Sequence, residues 1–261
     1  MQTILITGSS SGIGQATAQY FHEQGWNVVA TMREPAESDT VFVTRLDVQD
    51  PESITAAVEA GIERFGRIDV LLNNAGYGAY GILEATPIEK IRRQFDVNVI
   101  GLLETTKAVL PHFRANGAGT VINVSSIGGR VTFPLGTLYH GSKFAVEGLS
   151  EALHYELAGI GVRVKIVEPG FTRTDFAGRS FDFTNDESLT EYQKLVSEFM
   201  TSMNVDGDDP SVVAEVIYRA ATDGTDQLRY PAGPYAAELL GQRAAADDAT
   251  FLGGMRQRFG L

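Results

Sequence analysis

The sequence predicts a doubly wound α/β fold, a parallel sheet with helices on both faces, and three observations predict it. Short apolar runs alternate with amphipathic stretches from the first residues onward. The runs are continuously apolar rather than alternating, as strands buried on both faces are. A glycine-rich turn joins the first run to the first amphipathic stretch, the short connection that a βαβ unit needs.

Taken in order, residues 2–7 (QTILIT) read as a buried strand and 12–24 as a helix. Strands follow at 27–31 (NVVAT) and 41–46 (VFVTRL), then a helix at 51–65 with Pro51 in its first turn, where a missing N–H costs nothing. A strand at 70–73 (VLLN), helices at 87–99 and 101–116, a strand at 120–124 (TVINV), a helix at 139–158 and a strand at 163–168 (RVKIVE) continue the rhythm. Beyond Pro169-Gly170 it breaks. Residues 175–209 scatter Phe176, Phe181, Phe183, Leu195, Phe199 and Met200 among charges with no clear strand, which reads as a loop-and-helix lid. A helix at 210–222 and a short strand at 228–230 close a single domain spanning 1–261.

Composition bounds the function. The 261 residues suffice for a sizeable core, and 43% hydrophobic with 21% charged residues is an ordinary globular balance. A net charge of −12 argues against binding a nucleic-acid backbone, though not against a local basic pocket. The absence of cysteine excludes disulfides, thiol catalysis and thiolate metal sites. The histidines His22, His112 and His154 show no ligand spacing, so no metal is expected. The first strand leaves no room for a signal peptide, and no apolar run is long enough for a membrane span. The expectation is a soluble cytoplasmic protein with a small-molecule substrate and no membrane partner.

The turn Thr7-Gly8-Ser9-Ser10-Ser11-Gly12-Ile13-Gly14 directly follows a strand and opens a helix. Gly8 permits a tight turn, Gly12 a close approach of backbone to a pyrophosphate, and Gly14 close helix–strand packing. The helix N-terminus offers amides and a positive dipole end to the anion. An acid that binds the adenosine ribose is expected about 20 residues further on. That region reads Thr31-Met32-Arg33-Glu34. Arg33 suits a ribose 2′-phosphate, with forked charge-assisted bonds to which Ser9 and Ser10 would add hydroxyl donors. Position favours NADP(H) over NAD(H). The other readings are a solvated Arg33, or Glu34 as the ribose acid of an NAD enzyme. Asp47 suits either an adenine contact or a helix N-cap region.

Tyr139 and Lys143, four residues apart, share one helix face. A free tyrosine titrates near pH ~10, and a neighbouring ammonium lowers that value enough to make Tyr139 an acid/base near neutrality.

The chain resembles a short-chain dehydrogenase/reductase of ordinary length as far as Thr174. It carries TGSSSGIG at 7–14, LDV at 46–48, NNAG at 73–76, DVNVIG at 96–101, VSS at 124–126, YHGSK at 139–143 and PGFTRT at 169–174. The resemblance implies a Rossmann-like sheet in strand order 3-2-1-4-5-6-7. It implies hydride transfer between the cofactor and a carbonyl or alcohol carbon, with Tyr139 as acid/base. Ser126, thirteen residues before Tyr139, would hold the substrate oxygen, with Ser125 as its alternative. Lys143 would also bind the nicotinamide ribose, and Asn98 would hold a water of a proton relay. Asn74, Ala75 and Gly76 would flank the adenosine ribose, Val124 the nicotinamide, and Pro169, Gly170 and Thr174 the carboxamide. Ser10, Ile13 and Val48 join them in the cofactor site. His140, where small or polar residues are usual, reads as an outward-facing helix residue.

A non-catalytic redox sensor would have no reason to keep Ser126, Tyr139 and Lys143 together. Dehydration or epimerisation on the same fold ranks behind hydride transfer. Tyr77, Tyr80, Phe133, Leu135 and Phe171, with the aromatic lid, suggest a lipophilic ketone or aldehyde, each alone being equally good core packing. Family members pair the helices at 101–116 and 139–158 between subunits, so a homotetramer or dimer is expected through Leu102, Val109, Phe144 and Leu149. The apolar tail at 251–261 would add a contact to a neighbour.

Overall fold

In the computed structural model, which describes residues 1–174, 180–202 and 206–261, the chain opens β1 (Thr3–Thr7), α1 (Gly12–Glu23), β2 (Asn27–Met32), β3 (Phe42–Arg45), α2 (Pro51–Phe65), β4 (Val70–Asn73). There follow β5 (Gly78–Gly81), α3 (Ile88–Phe95), a π-helical stretch (Asp96–Ile100), α4 (Gly101–Asn116), β6 (Gly119–Val124), a 3₁₀ turn (Ile127–Gly129) and α5 (Thr137–Ala158). The chain continues through β7 (Val162–Pro169), β8 (Phe181–Thr184), α6 (Thr190–Ser202), α7 (Pro210–Thr222), β9 (Arg229–Ala232), α8 (Pro234–Ala245) and α9 (Asp248–Arg258).

Seven strands form one parallel sheet in the order β3-β2-β1-β4-β6-β7-β9. Counting only these strands, that is the expected 3-2-1-4-5-6-7. Every residue of β1 is buried, because α1 and α7 cover one face and α2, α4 and α5 the other. Phe21, Trp26 and Ile217 fill the first layer, and Ile54, Val109, Phe113 and Leu157 the second. Asp50 caps α2 by accepting from the amides of Glu52 and Ser53, and Pro51 occupies its first turn. Among the described residues no helix is long and apolar enough to cross a membrane.

Four expectations need correction. A small second sheet pairs β5 in parallel with β8, although residues 175–209 read as strandless. Gly78–Gly81 (GAYG) has no strand signal of its own, and its partner lies about a hundred residues away, so tertiary pairing overrides local propensity. The helix expected at 87–99 ends at Phe95 and passes through the π-helical stretch into α4. Two further helices, α8 and α9, follow the last strand. Leu102 and Val109 are buried in this chain rather than exposed for a partner. Asp175 and Phe176 of the expected lid lie outside the described residues.

Candidate active site

The sheet delivers the glycine turn, the 73–76 segment, Val124, Ser126 and Pro169-Gly170 to its C-terminal edge, where doubly wound folds bind ligands. Gly8 sits at φ 68°, and a Cβ there would lie 2.9 Å from Ala75 Cα. A Cβ on Gly14 would fall 2.3 Å from the Gly8 carbonyl oxygen. The turn therefore exists only with glycine at both places. Asn74 ties it to β4 by donating from Nδ2 to the carbonyls of Thr7 and Gly8, both at 3.0 Å. Ala75 follows with its amide on Thr7 Oγ1, and Gly76 packs against Asn98. Thr174 lies against Gly12, which brings the segment after Gly170 over the turn. Ile13 packs on the α1 side of the core, and Val48 borders Gly101.

Arg33 and Glu34 are both exposed just past β2, and Arg33 makes no ion pair among the described residues. Ser10 is exposed beside the turn, but Ser9 is buried and donates its hydroxyl to the Thr31 carbonyl at 3.0 Å. Ser9 thus stitches β1 to β2 and has no hydroxyl to offer a phosphate, contrary to expectation. Asp47 accepts from the Gln49 amide at 3.0 Å and shapes the entry to α2, whose cap is Asp50.

Tyr139 and Lys143 stand one turn apart in α5, and Ser126 lies two residues past β6, capping the 3₁₀ turn. Ser126 and Tyr139 share a hydrogen bond. Lys143 is buried and donates from Nζ to the Val124 carbonyl at 2.9 Å, while Nζ lies 5.9 Å from the centre of the Tyr139 ring. Burial pulls the Lys143 ammonium down to about 8, against the opposing charge of Glu147. Burial raises the Tyr139 phenol above its ordinary value, and the Ser126 bond opposes that rise. In the chain alone burial is the larger influence on Tyr139, and the Lys143 ammonium is turned to a backbone carbonyl. Asn98, in the π-helical stretch, accepts from the Tyr77 amide at 3.0 Å and donates to the Tyr77 carbonyl at 2.9 Å and to Ser142 Oγ at 3.2 Å. It joins the start of β5 to α5.

An aromatic wall faces Tyr139. Tyr80 stacks on it with ring centres 5.2 Å apart and also touches Phe181 and Phe199. Phe133, Leu135 and Phe183 complete the wall with Met255 and Phe259. Tyr77 turns away under Arg93, and Phe171 packs on Tyr235. Phe259 is a member that the sequence did not reveal. It comes from the tail expected to reach a neighbour, and no local pattern points it inward.

His140 corrects another expectation. It is 3% exposed, not outward-facing. The Phe133 amide donates to Nε2 at 3.0 Å, and Nδ1 lies 2.9 Å from the Gly128 carbonyl.

The family model for short chain dehydrogenases matches residues 2–185. An uncharacterized oxidoreductase of Schizosaccharomyces pombe is 48% identical over 241 residues, 88% of this chain and all of that one. A 3-ketodihydrosphingosine reductase of Bacteroides thetaiotaomicron is 42% identical over 206 residues, 78% of this chain and 75% of its own. A short-chain dehydrogenase structure from Streptomyces avermitilis superposes with a TM-score of 0.83 at 33% identity, covering 94% and 93% of the two chains. One from Burkholderia cenocepacia, in complex with NADP, gives 0.78 at 26% identity, covering 98% and 99%. The chain belongs to the short-chain dehydrogenase family and is an oxidoreductase.

Proposed function

We propose that the chain is an NADP(H)-dependent reductase or dehydrogenase acting on the carbonyl or alcohol group of a lipophilic substrate. The observation that carries this reading is Tyr139, hydrogen-bonded to Ser126, one turn from buried Lys143 and facing an aromatic wall. The glycine turn, with Gly8 held at φ 68° and packed on Ala75 at the N-terminus of α1, would suit a pyrophosphate. Arg33 would meet a ribose 2′-phosphate, and Lys143, Val124 and Thr174 would line the nicotinamide end. The dinucleotide, when bound, supplies or accepts the hydride.

The chain supplies the proton and the geometry. Ser126 holds the substrate oxygen while Tyr139 delivers the proton from Oη as that oxygen gains charge. Lys143 then favours the resulting phenolate, and Asn98 is the place assigned to a water linking Lys143 to solvent. Tyr80, Phe133 and Phe199 exclude water and select apolar area. The 3-ketone named for the Bacteroides relative is the kind of group this wall would admit. The reading includes self-association.

A panel of ketones and aldehydes, followed by loss of reduced-nicotinamide absorbance, tests it. Long-chain or polycyclic ketones are expected to turn over best. Tyr139→Phe should keep cofactor binding and lose at least about a hundredfold in kcat, the usual contribution of a positioned acid. Wild-type turnover by that variant overturns the assignment.

A further inference from the structure

We propose that His140 is a positioning residue that sets both Ser126 and the substrate wall at Phe133, and that it does so as a neutral imidazole. The proposal rests on the reading of Ser126 and Tyr139 above. The imidazole stands in a space that two glycines keep open. A Cβ on Gly128 would lie 2.8 Å from Nδ1, and one on Gly136 would lie 2.4 Å from Nε2. Both ring nitrogens are bonded to main chain. The Phe133 amide is a donor only, so Nε2 accepts and the ring proton sits on Nδ1, which donates to the Gly128 carbonyl. A charged ring would set an N–H against the Phe133 N–H. Burial accordingly holds the group down to about 4, far from its ordinary value. His140 therefore carries no proton in the reaction.

What it does is connect two loops. Gly128 accepts from His140 through its carbonyl and donates from its amide to Ser126 Oγ at 3.0 Å. That amide occupies one lone pair of the serine oxygen and leaves its hydroxyl to point at Tyr139 or a substrate oxygen. The other branch fixes Phe133, whose ring lies 5.6 Å from the imidazole and belongs to the wall around Tyr139. The segment beyond Phe133 is held in an uncommon conformation, with Leu135 at φ 59° and its carbonyl accepting from the Gly81 amide at 2.7 Å. A strained loop of this kind persists only where surrounding bonds determine it. His140 supplies one of those bonds from the first turn of the catalytic helix.

Two substitutions separate the branches. His140→Asn keeps a donor near the Nδ1 position and loses the acceptor at Nε2. It should leave kcat within about threefold and raise KM about tenfold, the effect of one lost hydrogen bond. His140→Phe keeps a ring and loses both bonds, so kcat should fall about tenfold or more while the dissociation constant of NADPH stays within about twofold. In a Ser126→Ala background the same change should lower kcat by less than about twofold, because the group it positions is gone. Losses that multiply in the double variant, or wild-type kcat in His140→Phe, overturn the proposal. If His140→Phe does not fold, His140→Asn decides alone, and equal falls in kcat and in NADPH affinity overturn it. Full activity of Ser126→Ala or Tyr139→Phe would instead overturn the catalytic reading, which separates the two failures.

Discussion

On the proposed reading, Arg33 is the residue on which the choice of cofactor turns. Its guanidinium is exposed past β2, and Glu34 is exposed beside it, so one cation and one anion stand where that reading puts the adenosine ribose. With Ser9 committed to Thr31, the guanidinium and Ser10 are what remain of the donors expected for a 2′-phosphate. Hydrogen bonds to charged groups are worth about 1.5–3 kcal/mol. Arg33→Ala is therefore expected to weaken NADP(H) by roughly ten- to a hundredfold and to leave NAD(H) nearly unchanged. Titrating both cofactors against both proteins checks this, and equal losses would make Arg33 a solvated surface residue. The pairing of Tyr139 with Lys143 was legible from a four-residue helical spacing, and Ser126 through the family resemblance of the VSS segment. The burial of His140 was not. It depends on Gly128 and Gly136, whose loops meet the helix only in the folded chain.

At the scale of elements, the alternation of apolar runs and amphipathic helices is local and was readable, whereas the β5–β8 pairing and the inward turn of Phe259 are long-range. The packing of β7 on α5 shows another feature no local pattern announces. Glu168, near the end of β7, is fully buried, and neither carboxylate oxygen has a hydrogen-bond partner. Glu147 of α5 repels it, while Arg130 at 3.5 Å and Arg229 attract it. Arg229 is bound to Glu147 at 2.9 Å and to Glu151 at 2.6 Å. Burial, aided by Glu147, pushes the Glu168 carboxyl up from 4.5 to about 7. Between those two values the folded state is expected to hold a proton that the unfolded chain has released. Stability from this group is full below about pH 4.5 and is lost as pH rises through about 7. At about 1.4 kcal/mol per pH unit the loss is at most about 3 kcal/mol. Melting temperatures measured between about pH 5 and 8 should fall more for the wild type than for Glu168→Gln. Parallel curves for the two proteins would show that Glu168 is ionised throughout.

At the scale of the whole molecule, the unresolved demand is an apolar helix face that none of the described residues covers. Gly141, Phe144, Gly148, Ala152 and Tyr155 are exposed along α5. Their spacings of three and four residues put them on one stripe, and the stripe carries no charge. Phe144 is 45% and Tyr155 72% exposed. A Cβ on Gly148 would meet nothing within 4 Å, so the helix backbone is open to close approach there. Ile100, 49% exposed, adds to the apolar surface from the stretch before α4. Contiguous apolar surface of this kind marks a candidate interaction face. We propose a second copy as the partner, because a two-fold axis across the stripe would cover the face of both copies at once. The surface differs from the expected one in that Leu102 and Val109 belong to the core and Phe259 to the aromatic wall beside Tyr139. Light scattering at micromolar protein should return a dimer or tetramer. Phe144→Glu places two carboxylates at the axis and should shift the mass toward the monomer, with the circular dichroism of the fold retained. A wild-type monomer at that concentration would overturn the reading. An unchanged mass for the variant would move the interface off α5.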